Sequence, residues 1–316
     1  MLDVCSDINI PTINNRYAYK LQRQSIFYTS KYEALLDFKK TTNRIAFPYY
    51  HGDPRTHKEF KKHIDTINLH HKDIHKIQVS HSYTEDLILN TGIDAQKVNR
   101  IPISIDINKF DFTNDKKKSS IRNRLNIPDS TFLIGSFQKD GIGWGEGNEP
   151  KLIKGPDIFL DVIKALKDSH KDIMVLLTGP ARGYVKRGLK KIDVKYCHYN
   201  LKNYSKISDF YQALDLYLIA SREEGGPRAV LESMASGVPL VTTRVGQAMD
   251  LVKHKENGWI VDVGDTDGLV ECSREAIENG YKLDTLLYNA RKTAENNSYN
   301  QQIPLWVNFM KGFVEN

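Results

Sequence analysis

Short apolar runs alternate with amphipathic stretches along most of the chain. The apolar runs of strand length lie at residues 25–29, 44–50, 77–80, 98–103, 131–135, 173–177, 194–197, 214–219, 239–243 and 259–261. Stretches that fit helices, such as residues 32–40 and 83–91, separate most of these runs. Because strands that alternate with helices form parallel sheets, the pattern predicts an α/β protein.

The chain length predicts two such domains. Its 316 residues suit two domains, and its 40% apolar content can supply a core for each. The polar and charged segment Asn114–Ser120 resembles a linker. We therefore predict a first domain over residues 1–112 and a second over residues 113–298. The second should contain a doubly wound sheet that binds its ligand at the carboxyl ends of the strands.

The stretch Ser221–Gly246 holds the strongest candidate site. Pro227 suits the first position of a helix, and a glycine and a proline soon after residue 236 stop it, so a helix is predicted over Pro227–Ser236. Gly225 and Gly226 let a ligand approach the backbone closely. The free N–H groups and the positive dipole end of this helix can then receive an anion such as a phosphate.

Two glutamates bracket this predicted anion site. Glu224 precedes the glycines, and Glu232 lies eight positions later, inside the predicted helix. With a rise of about 1.5 Å per residue, the helical part and the loop together span roughly 10 Å. That length is comparable to the distance from a sugar, across a diphosphate, to a ribose. Taken singly, the two residues would be a loop carboxylate and a solvated helix residue.

The motif around these glutamates resembles the donor-binding signature of retaining glycosyltransferases with the GT-B fold, in the large bacterial family of mannosyl- and glucosyltransferases. Its residues are Glu224-Gly225-Gly226-Pro227, then Leu231–Ala235, then Gly237–Pro239. The resemblance implies two doubly wound, Rossmann-like domains that face each other across a cleft. It also implies that Glu232 holds the ribose hydroxyls of a nucleotide-sugar and that Glu224 lies near the sugar hydroxyls. The N–H groups between them would meet the diphosphate or the sugar.

Cations should converge on a bound diphosphate. Lys154, which precedes a glycine at a predicted helix start, resembles the lysine that the family places at the diphosphate. Lys139 is the nearest cation to the point where the family often has an arginine. Arg228 could reach the phosphates or an acidic acceptor. For all three residues, a plain solvated side chain is the alternative.

A glycine-dense segment at residues 141–147 lies between the two lysines. It contains no helix start in the dinucleotide-fold position, so the NAD fingerprint is not met and a mobile loop is predicted. Trp144 in this segment could lie over the donor or the acceptor. An ordinary loop aromatic also fits that position.

His51 ends a predicted strand of the first domain and matches the place where the family carries a histidine beside the donor sugar. A neutral imidazole there could bond the sugar or support departure of the leaving group, whereas a loop or capping histidine is the alternative. Seven of the ten histidines lie between residues 51 and 81, with His71 and His75 four positions apart. Because no carboxylate or cysteine set completes a metal site, a basic, solvated or membrane-facing surface is the preferred interpretation.

The pattern Asp265-Thr266-Asp267 resembles the metal-binding DxD of the other glycosyltransferase fold, but it also precedes a predicted helix that Asp265 can cap. Capping is the preferred account. The three cysteines are scattered and have no CxxC spacing, which predicts reduced thiols. We therefore expect neither a metal ion nor another cofactor beyond the nucleotide-sugar substrate.

The net charge of +6 favours anionic partners, namely nucleotide-sugars, phospholipid surfaces or nucleic acid. Nucleic acid is not predicted, because no known nucleic-acid motif is present. No apolar stretch approaches the roughly 18 residues of a membrane span, and the first residues lack the order of a signal peptide. A cytoplasmic location is expected, with peripheral contact to the inner face of the cytoplasmic membrane left open.

Two regions bear on how the first domain is built. The family's glycine-rich loop after the first strand has no counterpart in residues 1–24, so either the first domain is shortened or the chain lacks its start. The apolar residues of the tail are spaced as on one helical face, which predicts a helix at residues 299–313. The resemblance implies that residues 299–316 return to the first domain, and packing on the second domain is the alternative.

These observations predict a metal-independent glycosyltransferase that moves a sugar from a nucleotide-sugar to a glycan, a lipid-linked acceptor or a small molecule. Retention of configuration is what the resemblance implies. Two alternatives remain. The first is another enzyme of the same fold, such as a phosphorylase or an epimerase. The second is a protein that binds nucleotide-sugars without catalysis.

Overall fold

The computed structural model describes residues 5–6, 10–14, 21–28, 42–50, 52–169, 172–201, 203–279 and 283–314. The chain divides into two compact units. The first unit comprises Met1–Ile103 and Tyr299–Asn316, and the second unit comprises Ser104–Ser298. Among the described residues, no helix is both long enough and apolar enough to span a bilayer.

The first unit contains a parallel sheet with the strand order β1-β2-β3-β4 in its described part. Its strands are β1 (Ser25–Phe27), β2 (Arg44–Tyr49), β3 (Lys76–Val79) and β4 (Val98–Arg100). Two helices follow β2 and β3, namely α1 (Lys58–His70) and α2 (Ser82–Leu89). The four strands predicted in this region are therefore confirmed, three with shorter bounds and β3 shifted by one residue, while the helix predicted at residues 32–40 lies outside the described residues.

The second unit contains a six-stranded parallel sheet with the strand order β10-β9-β8-β5-β6-β7 in its described part. Its strands are β5 (Phe132–Ser136), β6 (Ile173–Thr178), β7 (Lys195–Tyr199), β8 (Leu216–Ile219), β9 (Leu240–Thr243) and β10 (Trp259–Val261). Its helices are α3 (Asp115–Arg124), α4 (Pro156–Ser169), α5 (Gly183–Lys191), α6 (Ile207–Gln212), α7 (Arg228–Ala235), α8 (Ala248–Leu251), α9 (Thr266–Glu278) and α10 (Asp284–Asn296).

Both faces of the six-stranded sheet are covered by helices. Successive strand residues enter different apolar clusters: Leu133 and Tyr217 belong to one, whereas Ile134 and Leu218 belong to the other. The first cluster includes apolar side chains of α6 and α7, and the second includes those of α4, α5 and α9. Because side chains alternate across a strand, a run that is apolar throughout is buried on both faces. The predicted doubly wound sheet is confirmed.

The last helix of the chain, α11 (Tyr299–Met310), belongs to the first unit. Phe309 and Met310 are buried in a cluster with Ala46 of β2. The ring of Phe27 meets the rings of Trp306 and Phe309 edge-on, at centroid distances of 6.3 and 5.8 Å. These contacts bury the apolar face that the sequence predicts for the tail helix.

The predicted linker at Asn114–Ser120 is wrong in its local structure, because this segment opens helix α3. The side chain of Asn114 caps the helix by accepting a hydrogen bond from the Lys117 N–H at 2.9 Å. Arg122 is buried and donates to the carboxylate of Asp215 and the carbonyl of Ala213. A helix docked through a charged side chain lacks the broad apolar stripe by which helices are recognised in sequence.

We expect the stability of the protein to fall in mild acid because of His63 on α1. The His63 ring packs beside the rings of Phe47 and Tyr49, at centroid distances of 6.0 and 5.0 Å, and burial lowers its pKa to about 4. An unfolded histidine takes up a proton near pH 6.5, so the folded state loses stability as the pH falls from about 6.5 towards 4. The loss should reach about 2 kcal/mol at pH 5 relative to pH 7.5.

Urea unfolding at both pH values measures this loss. His63→Leu should remove it, whereas His57→Leu, at an exposed histidine just before the same helix, should leave it unchanged. An unaltered pH dependence in His63→Leu would show that another group is responsible.

Candidate functional site

The strand order of the second unit reverses direction between β5 and β8. From β5 the chain crosses to β6 through α4, whereas from β8 it crosses to β9 through α7, which covers the opposite face. In open parallel sheets, ligands bind outside the carboxyl ends of the strands at such a reversal. The loops that follow β5 and β8 carry most of the side chains that the sequence proposes for the donor site.

Lys154 and Glu224 meet at this reversal. The ammonium group of Lys154 lies 2.5 Å from Glu224 Oε2, and the hydroxyl of Ser221 donates to Glu224 Oε1 at 2.9 Å. The two charged side chains are 21% and 12% exposed, so the pair is largely shielded from water but still reachable. Two residues chosen from separate sequence motifs, 70 positions apart, are thus in direct contact.

Backbone contacts fasten the two loops to each other. The carbonyl of Ile153 accepts hydrogen bonds from the N–H groups of Arg222 and Glu223, at 2.8 and 3.1 Å. Gly155 has a φ of +62°, and a Cβ placed there would come within 1.8 Å of the Ala220 carbonyl oxygen. Only glycine fits this conformation without strain, so the backbone beside Lys154 requires a glycine at position 155.

Lys151 lies close to this ion pair, and a further lysine, Lys139, acts on Lys151. The ammonium group of Lys139 lies over the ring of Trp144, 3.8 Å from its centroid. Burial lowers the pKa of Lys151, and the charges of Lys154 and Lys139 lower it further, while Glu224 acts in the opposite sense. Two other lysines and one carboxylate act on Lys151, which leaves an excess of positive charge around it. Lys151 was not predicted, because its only signal in the sequence is its position three residues before Lys154.

The loop between Glu224 and α7 is also held firmly. Helix α7 begins at Arg228 with Pro227 as its N-cap, so the observed helix is one residue shorter at each end than the predicted one. A Cβ on Gly246 would lie 2.6 Å from the carbonyl oxygens of Glu224 and Gly225, which shows how closely the loop after β9 packs here. Gly225 is buried and Gly226 is partly exposed. No side chain of the described residues caps the first turn of α7.

Glu232 lies on α7 and is buried, with 2% of its surface exposed. Tyr204 donates its hydroxyl to Glu232 Oε1, and Tyr211 donates to Oε2 at 3.1 Å. Burial raises the pKa of Glu232, while the hydroxyls and the charge of Arg228 act against that rise. Neither tyrosine was predicted, because they precede the glutamate by 28 and 21 positions and belong to no shared motif.

Arg228 is directed towards this carboxylate. Its Nε lies 3.8 Å from Glu232 Oε1, one helical turn away, and its guanidinium carbon lies 5.5 Å from the centre of the Tyr204 ring. Its side chain is 43% exposed. Arg228 therefore links a solvated surface to the buried carboxylate.

The glycine-dense loop after β5 is tied to the start of α5. The carbonyls of Glu146 and Gly147 accept hydrogen bonds from the N–H groups of Gly183 and Tyr184, at 2.7 and 2.9 Å. A Cβ on Gly147 would lie 2.3 Å from the backbone of Ala181. Gly147 therefore allows two backbones to approach closely. The prediction of a mobile loop did not include this contact. Trp144 lies in this loop, with 82% of its surface exposed.

A buried ion pair anchors the inner end of the same loop. Arg182 lies 2.9 Å from the carboxylate of Asp140 and donates to the carbonyls of Ser136 and Thr178, at 2.6 and 2.9 Å. Its side chain is fully buried, so it joins the carboxyl ends of β5 and β6 from inside the protein. Removing one member of such a pair would leave an uncompensated charge.

The remaining predictions concern histidines and metal. His51 lies outside the described residues. His75 Nδ1 accepts a hydrogen bond from the Ile45 N–H at 3.1 Å, and no group of three or more potential metal ligands occurs in the described part of the chain. Asp265 accepts a hydrogen bond from the Gly268 N–H at 2.8 Å, so the prediction that it caps a helix is confirmed.

Most of this site lies in a segment that matches a known family model. Residues 150–293 match the family model described as Glycosyl transferases group 1. The capsular polysaccharide biosynthesis glycosyltransferase CapM of Staphylococcus aureus is 24% identical over 72% of this chain and 56% of its own length. The lipopolysaccharide core biosynthesis mannosyltransferase LpsB of Rhizobium meliloti is 29% identical over 47% of this chain and 45% of its own length. The chain thus spans about half the length of these relatives.

Solved structures with the same fold cover more of the chain. Anabaena Alr3699/HepE in complex with UDP has a TM-score of 0.75 and 18% identity, over 98% of this chain and 82% of its own. Sucrose-phosphate synthase from Thermosynechococcus elongatus has a TM-score of 0.69 and 14% identity, over 89% and 70%. Together with the two parallel sheets, these likenesses confirm the predicted GT-B fold.

We expect Gly155→Ala to destabilise the protein more than the same substitution at a second glycine, Gly179. Gly179 also has a positive φ, of +84°, but a Cβ there would meet nothing within 4 Å. Gly179→Ala should therefore cost only the strain of a left-handed alanine, about 1–2 kcal/mol. Gly155→Ala should cost about 1–3 kcal/mol more, because the opposing Ala220 carbonyl is backbone and cannot turn away. Chemical denaturation of both variants measures the difference, and equal losses would refute the close approach.

Proposed function

We propose that this chain, which carries a Glycosyl transferases group 1 domain over residues 150–293, transfers a sugar from a nucleotide-sugar to an acceptor with retention of configuration. The observation that carries the proposal is the Lys154–Glu224 ion pair at the reversal of strand order, with the buried Glu232 on the helix that follows. A cation for phosphate and two carboxylates for hydroxyls suit the two ends of such a donor. Its reaction would require no metal ion.

The diphosphate is assigned to the cationic part of the site. Lys154, Lys151 and Lys139 supply positive charge, and the backbone of Gly225, Gly226 and the first turn of α7 supplies N–H groups. When phosphate oxygens contact Lys154, they compete with Glu224 for its ammonium group. Glu224 is then free to accept hydrogen bonds from hydroxyls of the donor sugar.

The ribose is assigned to Glu232. Its carboxylate can accept two hydrogen bonds from neighbouring hydroxyls, and Arg228 beside it keeps the local charge balanced. The structural relative from Anabaena was crystallised with UDP and with UDP-glucose, which supports a nucleotide-sugar as the donor class. The names of the curated relatives support a glycan or a lipid-linked acceptor.

The proposed reaction is a displacement on one face of the sugar. The acceptor oxygen bonds to the anomeric carbon, the bond from that carbon to the diphosphate oxygen breaks, and the acceptor proton passes to that leaving oxygen. The lysines stabilise the negative charge that develops on the diphosphate. His51 is proposed beside the donor sugar, where its imidazole would bond a sugar hydroxyl or assist the leaving group.

We expect Glu232→Ala to weaken binding of the cognate nucleotide by roughly 1.5–3 kcal/mol, the range for a hydrogen bond to a charged group. Calorimetric titration with UDP-, GDP- and ADP-sugars identifies the base and measures the loss. Glu271→Ala, at an exposed glutamate on α9, is the control and should bind as the wild type does. Unchanged affinity in Glu232→Ala would refute the ribose assignment.

We expect Lys151→Met to weaken the binding of nucleoside diphosphate about tenfold or more. The binding of the nucleoside without phosphates should not change, because only the diphosphate interacts with the charge. Within the described residues the Lys151 ammonium group forms no ion pair, so its loss strands no partner. Lys154→Met should weaken the same ligand but also destabilise the fold, because Glu224 loses its partner. Lys164→Met, exposed on α4, is the control. Equal weakening of diphosphate and nucleoside would contradict the assignment.

Turnover separates this proposal from binding without catalysis. The wild-type chain is incubated with the nucleotide-sugar that binds tightest, and release of nucleoside diphosphate is followed with a panel of glycan and lipid-linked acceptors. Sugar transfer with an unchanged anomeric configuration, read by NMR, is the expected result. Binding with no release in any mixture would overturn the enzymatic proposal.

A further inference from the structure

The two hydroxyls that bind Glu232 come from tyrosines in different surroundings. Tyr211 is fully buried in α6, with its ring 4.8 Å from that of Phe137 and 5.0 Å from that of Tyr217. Tyr204 is 53% exposed and lies on a single turn of 3-10 helix at Tyr204–Lys206. Tyr211 is therefore a fixed partner of the carboxylate, whereas Tyr204 lies at its solvent side.

Tyr204 presents to Glu232 the same chemical group that a ribose would present. Its hydroxyl donates to Oε1, and with Tyr211 on Oε2 both carboxylate oxygens already accept a hydrogen bond. The carboxylate is almost inaccessible behind these rings, with 2% of the residue exposed. Each carboxylate oxygen could accept a second hydrogen bond, but the carboxylate is covered. A ribose can therefore reach Glu232 only when one of these tyrosines gives way, and Tyr204 is the one near solvent.

The local chain lets Tyr204 yield this position at low cost. Residues 203–206 are exposed, and the turn is held by a side-chain cap in which Asn203 accepts from the Ser205 N–H at 2.9 Å. Turning the Tyr204 ring away would break its hydrogen bond to Glu232 and its contact with Arg228, but Tyr204 itself does not belong to the apolar clusters. A comparable movement of Tyr211 would open the core.

We propose, resting on the function proposed above, that Tyr204 stands in for a ribose hydroxyl on Glu232 when no nucleotide is bound and competes with the nucleotide for that carboxylate. When the product leaves, the Tyr204 hydroxyl returns to Glu232, so the buried carboxylate does not lose a hydrogen-bond partner. It also lowers the affinity for the nucleoside diphosphate product. Tyr204 is thus a residue that sets how readily the site empties.

The test compares Tyr204→Phe with the matched control Tyr211→Phe. UDP, GDP and ADP are titrated calorimetrically into the wild-type chain, and the nucleotide that binds tightest is then titrated into both variants. Tyr204→Phe removes the competing hydroxyl and keeps the ring, so it should bind that nucleotide about three- to tenfold more tightly. Tyr211→Phe should bind no more tightly than the wild type. Unchanged or weaker binding by Tyr204→Phe overturns the inference.

Thermal melting gives a second readout that also checks folding. Without nucleotide, Tyr204→Phe should melt below the wild type, because Glu232 has lost a hydrogen-bond donor. At saturating nucleotide the two should melt together, so that the ligand-induced rise is larger in the variant. An equal rise in both proteins contradicts the competition.

The outcomes distinguish this inference from the function on which it rests. If the wild-type chain binds none of the three nucleotides, the proposed function fails and the inference fails with it. If the wild type binds and Glu232→Ala weakens binding while Tyr204→Phe does not strengthen it, only the inference fails. In that case Tyr204 supports Glu232 in the bound state as well.

Discussion

The hydrogen bonds to the Ile153 carbonyl, together with the glycine beside it, are the constraint on which the candidate site depends. The loops after β5 and β8 lead to helices on opposite faces of one sheet, so they diverge at the reversal of strand order. Two N–H groups of the β8 loop bind that single carbonyl, and Gly155 allows the backbones to touch. Lys154 and Glu224 can form an ion pair because their main chains are already joined.

The site holds its two carboxylates in different ways. Glu224 is neutralised by a cation that phosphate can also attract, whereas Glu232 is satisfied mainly by neutral hydroxyls in a buried position. A buried carboxylate with hydroxyl partners remains a strong acceptor for other hydroxyls, and burial raises its pKa. One loop and helix thus carry a carboxylate paired with a cation and a carboxylate paired with hydroxyls.

Sequence patterns predicted the elements well and the long-range contacts poorly. The strands and helix α7 follow from apolar runs and turn residues, which are local signals, whereas Lys154 and Glu224 were selected by their resemblance to a family motif. Tyr204 reaches Glu232 from a segment before β8, and Lys151 nears Glu224 only because β5 pairs with β8. Such contacts depend on strand order, which spacing along the chain does not encode. Helix α3 was missed because its docking relies on Arg122, not on an apolar stripe.

The positive charge of the site lowers the stability of the fold and favours the binding of an anion. Lys139 and Lys154 both act on Lys151, with Glu224 as the opposing carboxylate, and the lowered pKa of Lys151 records its burial and this repulsion. A fold optimised for stability alone would spread these charges or pair each with an acid. Keeping them together is unfavourable until an anion arrives, and a bound diphosphate would then stabilise the second unit by the free energy of its own binding. The unfavourable energy of the site is therefore electrostatic, because the backbone that carries the lysines is held in place and cannot separate them.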